Sequence, residues 1–188
     1  MKAVLVARDA APSYAFKLLK PELERRGVEV ADYLGEGKPL DSPPASILIS
    51  VQRAANVVVS GMSSSNELAE PEIAACRAAL AEGIPFGFYG DTYHCHERAR
   101  EGAWFGEFRE PAAFYFAINE NEARAAKNVF PNALCVATGN PLWENFAFPK
   151  QNRAQVRQVF EIADDEFVIL SPGGKSPVVN ILVWSALI

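Results

Sequence analysis

Short apolar runs alternate with helix-length amphipathic stretches along this chain, and that alternation constrains the fold more than any single motif. The runs Lys2–Ala7 (KAVLVA), Val28–Tyr33, Val57–Ser60, Ile84–Tyr89, Phe114–Ile118, Ala133–Ala137 and Glu166–Leu170 are rich in β-branched and aromatic residues and read as strands. Between them, Ser13 is expected to cap a helix running to Arg26, with Gly27 in the left-handed position that closes it. Pro21 lies inside that span and is expected to kink or break it. Ser42 and Pro43 open a second helix to about Ala54, and Asn66 a third to Glu82, ended by Gly83. A short helix is expected around His94–Arg100, then helices over Glu120–Val129 and Gln151–Glu161. Strands that alternate with helices need crossover connections, so the sheet is mainly parallel.

The expected fold class is therefore α/β: a Rossmann-like, mainly parallel sheet with helices on both faces. The first six runs complete one such sheet, which places a domain at residues 1–148. Residues 149–188 then supply a linker helix and the first strand and helix of a second, truncated domain. The apolar ending LVWSALI cannot comfortably face water, so the chain is expected to be part of a larger two-domain protein. With 49% apolar and 22% charged residues the sequence is neither disordered nor fibrous. A net charge of −5 gives no basic face for nucleic acid. Three widely spaced cysteines, Cys76, Cys95 and Cys135, fit a reducing cytoplasm better than a disulfide framework. No uninterrupted apolar run reaches the ~18 residues of a membrane span, and no signal peptide is expected at Met1–Asp9.

In open parallel sheets, ligands bind beyond the carboxyl ends of the strands. That rule selects Asp9, Ser63, Ser64, Asp91, Thr92, His94, His96, Glu120 and Asn140. The densest polar cluster is GDTYHCHERAR, Gly90–Arg100. One of its histidines suits hydrogen bonding or general-base work, since imidazole titrates near neutrality. The His94–Cys95–His96 spacing matches no paired zinc-ligand pattern, so no metal site is expected, and a polar surface loop is the plainer alternative. The turn SGMSSSNE (Ser60–Glu67) joins a strand to a helix, and its small residues allow a polar or anionic ligand to approach the helix N-terminus. Glu67 there is a candidate general base, or simply a favourable charge at the helix dipole. SPGGKSP (Ser171–Pro177) ends like a Walker loop but has Ile169 where that pattern needs glycine. Gly173, Gly174 and Lys175 can still form an anion nest, or an ordinary turn. The aromatics, 12 Phe, 5 Tyr and 3 Trp, default to core. Two groups outside regular elements, Trp104–Phe105–Phe108 and Trp143–Phe146–Phe148, can instead line a groove or face a partner domain.

From about Asn56 onward the order of segments resembles the N-terminal half of a GT-B glycosyltransferase. The nearest group is lipid-A-disaccharide synthase and its relatives, including UDP-N-acetylglucosamine 2-epimerase-like enzymes. The segments are NVVVSG, EGIPFGFYGD, HERAR, NENEARAAKNVFP, then TGNPLWEN followed by ILSPGGK. In those synthases a Gly-x-Pro-Leu segment marks the crossing into the second domain, and the segment resembling SPGGK lies near the donor's phosphates. The resemblance implies transfer of a sugar from a nucleotide sugar to a sugar, lipid or polymer acceptor, as in polysaccharide biosynthesis, with no cofactor. It implies an acceptor-side first domain, with His94, Asp91 and Glu67 as candidate bases and Ser63, Ser64, His96, Glu120 and Asn140 as candidate acceptor contacts. Gly173, Gly174 and Lys175 would meet the diphosphate. Peripheral membrane contact is compatible with such acceptors, and the oligomeric state is left open. The synthases carry an acidic residue in the turn after the third strand, where this chain has Gly61, Met62 and Ser63–Ser65. An epimerase-like isomerase and a non-catalytic binding module with the same fold are the alternatives.

Overall fold

A computed structural model describes residues 1–38, 45–53, 55–148 and 150–169. The chain divides into two units, Met1–Ala147 and Phe148–Ile188. The first holds six strands, β1 (Lys2–Ala7), β2 (Glu29–Leu34), β3 (Val57–Ser60), β4 (Phe86–Tyr89), β5 (Phe114–Ala117) and β6 (Leu134–Ala137). Every pairing is parallel, in the order β2-β1-β3-β4-β5-β6, so the fold is the expected Rossmann-like α/β sheet. The helices are α1 (Ala10–Arg25), α2 (Ala45–Gln52), α3 (Asn66–Ala81), α4 (Glu120–Lys127) and the short α5 (Glu144–Ala147).

The strand order decides how the two faces are covered. After β1 the chain moves one way to β2, and every later step runs the other way. Right-handed crossovers therefore place α1 alone on one face and the later connections on the opposite face. The packing follows this division. Val4, Val6, Val58, Phe86, Phe88 and Tyr115 form one continuous core with α2, α3, α4 and the loop bearing Phe105 and Phe108. A smaller cluster of Leu5, Ala7 and Tyr89 packs under Ala15 and Phe16 of α1, joined by Val59, Phe116 and Leu142. Cys135 and Ala137 lean on the large core, so Leu134 and Val136 point to the α1 side, where they stay exposed.

Two glycines are fixed by this packing. A β-carbon on Gly87 would lie 2.2 Å from the Phe114 carbonyl oxygen and 2.4 Å from its ring. One on Gly90 would lie 2.0 Å from the Tyr115 hydroxyl. Gly27 has φ +79°, the left-handed closing conformation expected after α1.

Several boundaries differ from expectation. Helix α1 starts at Ala10, three residues before the expected cap, and Pro12 is tolerated because first-turn N–H groups have no helical partner. Ser13 is buried inside the helix, where its hydroxyl donates to the Ala7 carbonyl (2.9 Å) and accepts the Glu36 N–H (3.2 Å). Pro21 neither breaks nor ends α1. It lies on the exposed side, where water can satisfy the carbonyl it leaves free. The expected helix at His94–Arg100 is a 3₁₀ turn over Cys95–Ala99.

In the second unit, α6 (Arg153–Val159) opens with a capping box in which Asn152 and Gln155 bond each other's backbone N–H groups. The expected strand Glu166–Leu170 is not formed over its described part: Glu166–Ile169 is irregular and Phe167 is 90% exposed. An apolar run becomes a strand only when a neighbour pairs with it, and none does so there among the described residues. Ser42, Pro43 and the segment from Leu170 to Ile188 lie outside the described residues. Among the described residues no helix is long and apolar enough to cross a membrane.

Candidate functional site

The strand order reverses between β1 and β3, and the crevice beyond their carboxyl ends is the usual ligand position in such sheets. Here the crevice is laced shut by the protein's own carboxylates. Glu72 of α3 is fully buried; its Oε1 accepts the Arg8 N–H (3.2 Å) and its Oε2 the Ser63 N–H (2.8 Å). Asp9 Oδ2 accepts the Ser64 N–H (2.9 Å), and the Asp9 N–H donates to Ser63 Oγ (3.3 Å). Ser65 caps α3 by accepting the Leu68 N–H. From the neighbouring loop, Trp104 donates to the Ser63 carbonyl (3.1 Å) and Arg98 to that of Met62. The N–H groups of Ser63 and Ser64 in the turn before α3, and that of Leu68 in its first turn, are thus engaged by the protein itself. Burial pushes the Glu72 carboxyl up to about 7, against its two N–H donors, with nearby Asp9 adding to the rise. Gly61 allows this approach, because a β-carbon there would stand 2.8 Å from Glu72 Oε1.

The loop after β4 holds the second polar group. Asn140, just past β6, donates to the Asp91 carbonyl (3.0 Å) and accepts the Leu142 N–H (3.0 Å), tying the ends of β4 and β6 together. Burial raises the Asp91 carboxyl above its ordinary value. The Cys95 thiol donates to it at 3.5 Å and is itself pushed up to about 11 by burial, so it stays a thiol. His94 adopts φ +63° and donates its N–H to Glu122 Oε2 (2.8 Å). His96 is 3% exposed, with Nδ1 3.2 Å from the same oxygen; burial lowers its basicity.

A cavity of about 610 Å³ opens on the thinly covered face, between α1 and the turn after β6. Leu5, Phe16, Tyr89 and Phe116 form its floor and wall, and Asn140 and Trp143 its rim. Tyr89 carries a buried hydroxyl with no hydrogen-bond partner. Burial raises that hydroxyl's pKa, so it stays protonated.

The structure thus gathers Asp9 with Ser63 and Ser64, Asp91 with Asn140, and His94 with His96, as three separate groupings. Glu67 and Glu120 are exposed; Glu67 accepts only from Ser65 Oγ at 3.1 Å, and Glu120 lies on the first turn of α4. Gly173, Gly174 and Lys175 lie outside the described residues. Sequence reasoning missed Glu72 and Glu122, the two carboxylates that organise these loops. Each had a signal: Glu72 lies in line with Ala69, Cys76 and Ala79 on the buried stripe of α3, and Glu122 with Ala123 and Ala126 on α4. A charge on an apolar stripe needs a partner inside.

Comparison with known proteins gives no match to a family model, to a curated protein or to a solved structure.

Proposed function

We propose that Met1–Ala147 is the acceptor-side domain of a GT-B type glycosyltransferase, and that its 610 Å³ cavity holds an acceptor with both an apolar body and a hydroxyl. The observation that carries this is the position of that cavity. Its floor is apolar, and its rim residue Asn140 is bonded to the backbone carbonyl of Asp91, a residue whose carboxyl burial makes more basic. Asp91 takes the proton of the acceptor hydroxyl, whose oxygen attacks the anomeric carbon of a nucleotide sugar. The bond to the phosphate oxygen breaks, and the nucleoside diphosphate leaves with that electron pair. His94, another of the three candidate bases, is bonded through its backbone to Glu122 rather than to the cavity rim. Asp9 gives the β1/β3 crevice a carboxylate, which repels a diphosphate. The charged part of the donor is therefore held elsewhere, and Gly173, Gly174 and Lys175 are the candidates.

The test is binding of octyl glucoside to the 188-residue chain below its micelle concentration, followed by tryptophan emission with a Trp143→Phe variant as control, and with octanol as comparison. Saturable binding that prefers the glucoside and weakens in Asp91→Asn supports the proposal. No saturable binding, or equal binding of octanol, overturns it.

A further inference from the structure

The loop after β4 brings together three metal-capable side chains. One ligand atom each from His94, His96 and Glu97 lies within 4.8 Å of the others. Local geometry explains this. In a 3₁₀ turn, residues three apart stand on one edge, so His94 at the start of the turn faces Glu97, Nδ1 to Oε1 at 3.8 Å. The left-handed backbone of His94 turns its ring back towards His96, with ring centroids 6.1 Å apart.

The surroundings are those of a metal site rather than of a surface loop. Glu122, 6% exposed, accepts the His94 N–H through an oxygen that also lies 3.2 Å from His96 Nδ1, without a hydrogen bond to that ring. A buried carboxylate beside one ring nitrogen is the usual outer partner of a metal-bound histidine, because it fixes the tautomer and leaves the other nitrogen basic. Nδ1 of His96 is buried and has no hydrogen-bond partner, so a small turn of the ring is enough to engage Glu122. Glu97 is engaged only by exposed groups, chiefly Arg100 at 2.9 Å, a surface pair that holds it weakly. Ligand atoms about 2.0–2.2 Å from a tetrahedral zinc ion stand roughly 3.3–3.6 Å apart. His94 and Glu97 are exposed enough to close the remaining gap.

We propose that His94, His96 and Glu97 bind a divalent first-row transition ion, with Glu122 as the outer partner of His96. Imidazole and carboxylate donors suit zinc, and three protein ligands leave a position open to water or to an oxygen of a bound molecule. This site does not depend on the glycosyltransferase proposal, since it needs neither the cavity nor Asp91.

Titration of the 188-residue chain with Zn²⁺ in a calorimeter tests it, with Co²⁺ as a spectroscopic substitute. The expected result is one equivalent bound, at least tenfold weaker in His94→Ala and in Glu97→Gln, with visible cobalt bands and no sulfur charge-transfer band. Both variants change exposed side chains, so both should fold. Arg100→Ala frees Glu97 and is expected to bind as tightly as the parent or more tightly. Absence of saturable binding, unchanged affinity in both variants, or a sulfur-to-cobalt band from Cys95 overturns the proposal.

Discussion

Glu72 Oε1 bonds the Arg8 N–H and lies 2.8 Å from where a β-carbon on residue 61 would stand. Gly61 and Glu72 therefore form one unit: the glycine leaves the space, and the carboxylate uses it to tie the end of β1 to the turn after β3. Pro12 and Ala7 close the same space at 3.1 and 3.2 Å. Gly61→Ala is expected to lower stability by roughly 1–3 kcal/mol, the usual cost of overpacking. Urea denaturation of the two proteins checks this.

The raised Glu72 carboxyl makes stability depend on pH, with a definite sign. Between the ordinary value of 4.5 and about 7, the folded state binds the proton and the unfolded state does not. The stabilisation is complete below 4.5 and fades as pH rises through 7, by up to roughly 3 kcal/mol at about 1.36 kcal/mol per pH unit. Asp91, also raised, adds in the same direction. Glu72→Gln cannot ionise. Its urea midpoint is expected to change less than the parent's between pH 5 and pH 8, and an equal change in both would refute the assignment.

Two glycines separate steric need from backbone need. Gly87→Ala meets the Phe114 backbone at 2.2 Å and is expected to cost about 3 kcal/mol, since the β4–β5 pairing must shift. Gly83→Ala meets nothing within 4 Å but keeps φ +67°, so about 1 kcal/mol is expected. Thermal melting of both variants ranks them. The reverse order would contradict the cross-strand contact.

The two faces of the sheet should answer differently to truncation. Phe88 is fully buried, with the rings of Phe86, Phe105, Phe108 and Phe130 around it, and Phe88→Ala is expected to cost about 3–5 kcal/mol. Trp143, 45% exposed at the cavity rim, should cost below about 1 kcal/mol as alanine while weakening octyl glucoside binding. Chemical denaturation together with the binding assay separates the two effects.

The architecture was legible in the sequence because period and punctuation agree over β1 to β6 and because Gly27 and Gly83 end their helices. Pro21 misled because its cost depends on which side of the helix it occupies, and spacing alone does not fix that side. The strand expected at Glu166–Leu170 misled for a related reason: pairing is non-local, and apolar content cannot supply a neighbour. The strand-end rule gathered Asp91, Asn140, His94 and His96 correctly as loop residues. It could not find Glu72 or Glu122, which act from the inward faces of α3 and α4. It also could not foresee that Asp9 and Glu72 would take the N–H groups of Ser63 and Ser64 in the turn before α3.

The one-sided return of the chain after β2 has a consequence for how this protein can change. Its cavity is not a defect in the packed core; it is ground that the winding direction never built upon. Leu5, Phe16 and Tyr89 of its floor are buried, whereas its rim, with Trp143 and Glu144, is open to solvent. Substitutions at the rim can therefore redirect what is bound without first being compensated elsewhere, and there the usual exchange of stability for altered specificity is relaxed.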